Sequence, residues 1–74
     1  MNYPKITLEA ARVNAGFTQK ESAEKLGVST KTLQNYESGE SVPNWDMVQK
    51  IGELYCFPTD FIFFGSALRL KRKN

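Results

Sequence analysis

The chain contains no histidine and a single cysteine, Cys56. Those absences exclude a Cys/His zinc site, a Ser/His/Asp triad, a Cys/His dyad and any internal disulfide. Long apolar runs are missing too. No run exceeds four residues, as in Phe61-Ile62-Phe63-Phe64, far short of the ~20 residues that a membrane-spanning helix needs. The opening stretch Met1-Asn2-Tyr3-Pro4-Lys5 carries no apolar signal segment, so the expected location is cytoplasmic, with no membrane partner. With three prolines, five glycines and no low-complexity tract, the composition is neither disordered nor collagen-like. Carboxylate chemistry remains by elimination. Glu21 and Glu24 stand three apart, but on a helix face that reads as solvated, and no enzymatic activity, cofactor or metal is expected.

What is present is enough apolar material for one core. The 41% apolar content of 74 residues amounts to about 30 side chains, which suits a single small domain. Charge is unevenly placed. Four of the ten basic residues, Arg69, Lys71, Arg72 and Lys73, fall in the last six positions, leaving six basic against eight acidic side chains, net −2, in residues 1–68. Any polyanion bound by this chain must therefore meet a local polar surface and helix N-termini. The tail then either supplies long-range attraction or is a solvated, frayed end.

The helical punctuation is dense. Thr7 ahead of Leu8, Ala11, Arg12 and Ala15, with Gly16 beyond, predicts a helix over 8–15 with a hydroxyl cap and a glycine stop. Thr18-Gln19-Lys20-Glu21 fits the capping box and predicts a second helix over 19–26, with Ala23 and Leu26 inward and Gly27 at its end. Ser29 caps a third over 30–38, with Leu33 and Tyr36 inward and Gly39 as its stop. After the loop Glu40-Ser41-Val42-Pro43, Asn44 caps a fourth helix, whose expected inner face is Trp45, Val48, Ile51 and either Leu54 or Tyr55. Pro58-Thr59-Asp60 opens a short fifth helix closed by Gly65. No repeat and no strand alternation is visible. The expectation is an all-α domain of five short helices over residues 1–66, followed by a basic tail over 67–74.

The third helix has an unusual outer face. Thr30, Lys31, Gln34 and Asn35 are all hydrogen-bonding side chains, without the Glu/Lys pairing of a merely solvated helix. Two helices joined by a tight glycine turn, the second with such a face, form the helix-turn-helix pattern, whose second helix can enter a DNA major groove. An ordinary helical hairpin explains the apolar positions equally well, but not this face.

The series Arg12, Gln19, Ala23, Leu26-Gly27-Val28-Ser29, Thr32-Leu33, Tyr36-Glu37, Gly39, Pro43, Lys50-Ile51 resembles the Cro/CI-type (XRE-like) helix-turn-helix family of phage and bacterial transcriptional regulators. The resemblance runs over about residues 6–65. It implies a five-helix, lambda-repressor-like domain that binds double-stranded DNA. Thr30, Lys31, Gln34 and Asn35 would then face base edges. Lys31 suits guanine acceptors, Asn35 adenine or else a phosphate, and Thr30 thymine. Gln19 would reach a phosphate from the start of the second helix, unless it caps that helix itself. Ser29, Ser38, Ser41 and Asn44 would hold neighbouring phosphates, with Glu40 pointing away. Arg12 and Glu37 match a pair that forms a salt bridge, the alternative being a direct phosphate contact by Arg12.

Two departures from the family pattern follow the fourth helix. Cys56 replaces a common glycine, and Pro58 stands where a capping serine is usual. The aromatics Phe57, Phe61, Phe63 and Phe64 are candidates for an isologous dimer interface, or they wrap a core too small to bury them cleanly. The implied function is a sequence-specific regulator of Cro or repressor type. It would bind a pseudo-palindromic operator as a homodimer, with no small-molecule effector. An antitoxin-like or adaptor domain that holds a protein through its aromatic C-terminal segment is the other reading.

Overall fold

The computed structural model describes residues 5–64, and each of its four α-helices starts on a side-chain oxygen and ends on a left-handed residue. Thr7 Oγ1 accepts the Ala10 N–H at the start of α1 (Leu8–Ala15). Thr18 and Glu21 satisfy each other's backbone donors at α2 (Gln19–Leu26). Ser29 caps α3 (Thr30–Ser38) and Asn44 caps α4 (Trp45–Tyr55). A cap of this kind contributes about 1 kcal/mol, a sizeable share for helices of eight to eleven residues. At the end of α4 the left-handed position is held by Cys56, with φ 53°, where glycine would carry no Cβ penalty.

The core is built from one side of each helix. Leu8 and Ala11 of α1, Ala23 and Leu26 of α2, Leu33 of α3, and Ile51 and Tyr55 of α4 are buried together with Ile62. Helix α3 contributes only Leu33 to this buried set, with Tyr36 packed against it, so the exposed side of the helix is narrow and is marked by Lys31 and Gln34. Two polar links close α2 on α4. The Ser22 and Tyr55 hydroxyls share a short buried hydrogen bond, and Lys50 Nζ donates to the Leu26 carbonyl at 3.0 Å, holding the C-terminal end of α2. Among the described residues, no helix is long and apolar enough to cross a membrane.

The C-terminal part corrects the five-helix expectation. A fifth α-helix does not form among the described residues. Its place is taken by one 3₁₀ turn, Thr59–Phe61, followed by a two-residue strand β2 (Ile62–Phe63). Strand β2 pairs in parallel with β1 (Ile6–Thr7), Ile6 opposite Ile62. Pro58 supplies no side-chain cap to the turn, and the β-prone Phe-Ile-Phe sequence turns extended at Ile62, where it finds backbone partners in β1. Gly65, expected as the helix stop, and the basic tail over 67–74 lie outside the described residues.

The inner face of α4 is also corrected. Trp45 is 72% exposed. It lies six residues before Ile51, about 120° around the helix at 3.6 residues per turn, so the stripe that buries Ile51 and Tyr55 turns it outward. Val48 and Leu54 are half-buried.

Burial pushes the Tyr55 phenol up from its ordinary value of 10.0, and the Glu37 carboxylate adds to that, while the Ser22 hydrogen bond and Arg12 oppose it. The folded protein thus holds this proton more tightly than the unfolded chain. Stability from neutral Tyr55 is complete below pH 10.0 and is lost as pH rises through the raised value. Tyr55→Phe should strand the Ser22 hydroxyl and cost about 1–3 kcal/mol at neutral pH. It should also decline less steeply than the parent in alkali. Urea titrations at neutral and alkaline pH measure both effects, and parallel alkaline slopes would exclude this role for Tyr55.

Candidate nucleic-acid interface

With Leu33 buried and Tyr36 packed against the core, the helix presents Lys31 and Gln34 outward, and Thr30 and Asn35 as half-buried shoulders of the same side. Lys31 is the one cation among these four residues. The side-chain amide of Asn35 makes no hydrogen bond among the described residues, while its main-chain carbonyl gathers the following loop. That carbonyl accepts from the Gly39 and Ser41 N–H groups at 3.1 and 3.2 Å and from Ser38 Oγ at 3.3 Å. The loop backbone is thereby drawn close to the end of α3.

The remaining phosphate candidates are unequally available. Ser29 Oγ accepts from the Thr32 N–H and donates to Thr32 Oγ1, both at 3.0 Å, so its single proton is spent inside the turn. Asn44 uses Oδ1 to accept the Met47 N–H at 2.9 Å and keeps its NH₂ group for an outside acceptor. Ser41 and the neighbouring Glu40 are exposed.

Gln19 neither caps its own helix nor hangs free. Its Nε2 donates to Glu37 Oε1 at 2.9 Å, and its Oε1 accepts from Gln34 Nε2 at 3.3 Å. The first residue of α2 is therefore tied to both the buried and the exposed side of α3. Beneath it, Arg12 Nε donates to Glu37 Oε2 at 2.7 Å and Arg12 Nη1 to the Phe17 carbonyl at 2.8 Å. The Arg12 and Glu37 side chains are only 9% and 5% exposed. In this arrangement the guanidinium faces inward, not toward a solvent-side phosphate.

Residues 6–60 match the family described as a helix-turn-helix domain. Over 55 residues the chain is 44% identical to the HTH-type transcriptional regulator ImmR of Bacillus subtilis (strain 168), across 74% of this chain and 43% of that protein. The chain belongs to the Cro/CI-type (XRE-like) helix-turn-helix family. Two further proteins are similar to this chain. The putative HTH-type transcriptional regulatory protein PH1808 of Pyrococcus horikoshii is 39% identical over 51 residues, or 69% of this chain and 16% of that one. Endothelial differentiation-related factor 1 of Homo sapiens is 32% identical over 57 residues, or 69% of this chain and 38% of that one. The chain thus spans less than half the length of each of these relatives.

Within the family's frame, the aromatic residues after α4 are less exposed than an open interface would be. Phe57 and Phe64 pack against the core, Phe61 and Phe63 are half-buried, and Lys5 Nζ sits 5.3 Å from the centre of the Phe63 ring. The large apolar side chains that are exposed are Val13, Val42 and Trp45. Trp45 stands directly after Asn44, beside the loop that follows α3. The sequence placed it on the inner face of the fourth helix, although extending the Ile51 and Tyr55 stripe backwards at helical spacing puts it outside.

Removing one member of a buried ion pair strands the other. Arg12→Ala should lower the unfolding free energy by about 3–5 kcal/mol, and adding Glu37→Leu should recover part of that loss. Denaturant unfolding of the two variants checks this. An Arg12→Ala protein with the parent's stability would show that the pair contributes nothing to the fold.

Proposed function

We propose that this chain is a sequence-specific double-stranded DNA-binding transcriptional regulator that lays α3 in the major groove. The observation that carries the reading is the division of α3. Leu33 is fully buried, while Lys31 and Gln34 are exposed between the half-buried Thr30 and Asn35, next to the N-terminus of α2. A major groove about 12 Å wide admits such a helix and offers donors and acceptors to match. Two of the relatives are regulators by name. Lys31 donates to guanine, Asn35 pairs with adenine, and Thr30 meets thymine through its methyl or hydroxyl group. Gln19, Ser41 and Asn44 take phosphates on either side of the groove, while Ser38, whose one proton goes to the Asn35 carbonyl, holds the loop instead. Ser29 serves by keeping the first turn of α3 in shape. The exposed Trp45 ring lies against the sugar–phosphate backbone next to Asn44.

Two copies on a pseudo-palindrome would place their α3 helices one DNA turn apart. The remaining exposed edges of Phe57, Phe61, Phe63 and Phe64 form their contact. Since residues 1–68 carry net −2, the basic tail supplies the general attraction to phosphates. Selection from a random duplex pool tests the function. Enrichment of a palindromic consensus is the expected result, while no enrichment at low salt would favour the antitoxin or adaptor reading.

At the residue level, Lys31→Ala and Asn35→Ala should each cost about 1–3 kcal/mol of specific binding and relax the preference at one or two positions per half-site. Gln19→Ala should weaken all sequences alike. Affinities measured over a set of singly substituted duplexes separate these patterns. Uniform weakening by Lys31→Ala or Asn35→Ala would make that residue a phosphate contact.

A further inference from the structure

A carboxylate accepts hydrogen bonds and donates none, so Glu37 dictates which end of the Gln19 amide faces it. The NH₂ end does, at 2.9 Å. The carbonyl oxygen of Gln19 must then look the other way, and there Gln34 Nε2 donates to it across 3.3 Å. Polarity is therefore imposed from the interior outward. Arg12 gives protons to Glu37, Glu37 accepts one from Gln19, and Gln19 accepts one from Gln34. The origin of this chain is rigid, because the Glu37 side chain is 5% exposed and its other oxygen is held by Arg12 Nε at 2.7 Å. The far end is an exposed glutamine on α3.

We propose that Gln34 is a positioning residue that acts on DNA through Gln19. Glu37 holds the Gln19 amide from below and Gln34 holds it from the α3 side, so its plane is set before DNA arrives. Its second N–H is then presented to a phosphate oxygen. The inference rests on the phosphate role proposed for Gln19, and it replaces base reading as the task of Gln34. Bidentate recognition of adenine needs the carbonyl and NH₂ of one glutamine aimed together at the base edge. A Gln34 whose NH₂ is turned to α2 takes its orientation from the protein instead. The benefit is entropic, since a side chain already confined to one rotamer loses less freedom on binding.

The proposal is tested with Gln19→Ala, Gln34→Ala and the double variant. Three readouts are used: affinity for the unselected random duplex pool, the consensus each variant selects from that pool, and the side-chain amide NMR signals of Gln19 in the free protein. Gln34 is exposed, so its truncation leaves the core untouched. Gln34→Ala should shift the Gln19 amide signals without DNA and weaken every duplex by roughly three- to tenfold, the worth of one hydrogen bond. It should leave the consensus unchanged and cause no further loss in the Gln19→Ala background. A consensus altered at one base, additive losses, or unmoved Gln19 signals would each overturn it. Should Gln19→Ala bind every duplex as the parent does, the phosphate reading fails and the proposal with it, whatever the NMR signals show.

Discussion

A buried ion pair between Arg12 and Glu37 is the joint on which this small domain turns. One guanidinium reaches Glu37 through Nε at 2.7 Å and Nη2 at 3.4 Å, and the Phe17 carbonyl through Nη1 at 2.8 Å. It thereby binds α1, the turn into α2 and the second half of α3 together. The need for it follows from the composition of α3. A helix that must offer a polar side to a partner has few apolar residues to bury, and this one fully buries only Leu33. A buried leucine contributes about 1.5–3 kcal/mol, and with only the half-buried Tyr36 beside it it fixes the roll of the helix about its axis weakly. The ion pair, with the Phe17 carbonyl as a third point, removes the remaining freedom at the cost of desolvating two charges.

The same pair links the scaffold to the proposed recognition surface. Glu37 spends its second oxygen on Gln19, so the start of α2 takes its orientation from the interior. Cations are few on α3 itself and on the residues that follow it among those described. Lys31 is the one exposed cation of α3, Lys50 is committed to the Leu26 carbonyl, and Glu40 and Asp46 are exposed nearby. Binding by such a surface depends on aim more than on charge, which is why a rigid origin for its hydrogen bonds matters. For the proposed DNA-binding function, few cations mean little non-specific affinity in the folded part, and discrimination between sequences benefits from that restraint.

Local signals in the sequence were legible and distant ones were not. Three helices run over the expected spans, 8–15, 19–26 and 30–38, because each capping oxygen and each left-handed glycine bonds a backbone group only three or four residues from itself. The partnership of Arg12 and Glu37 was readable only through family resemblance, since 25 residues separate them. After Pro58 local reasoning ran out. Ile62 is extended because Ile6, at the other end of the chain, offers it backbone partners, and no window around Thr59 contains that fact. The Ser22–Tyr55 and Gln19–Gln34 hydrogen bonds are likewise products of helix packing. Trp45 went the other way: its large apolar ring pointed to the core, while the helical spacing of Ile51 and Tyr55 turned it outward.

The most direct measurement of this account needs no substitution. Hydrogen exchange of the Arg12 Nε proton, followed by NMR in the free protein, reports whether the guanidinium is locked onto Glu37 in solution. The account predicts that this proton exchanges only when the domain unfolds, with protection matching the slowest backbone amides of α1 and α3, such as that of Leu33. Exchange at the rate of a solvated arginine would contradict it. The ion pair would then be open for much of the time, and neither the setting of α3 nor the aim of Gln19 could be traced to it.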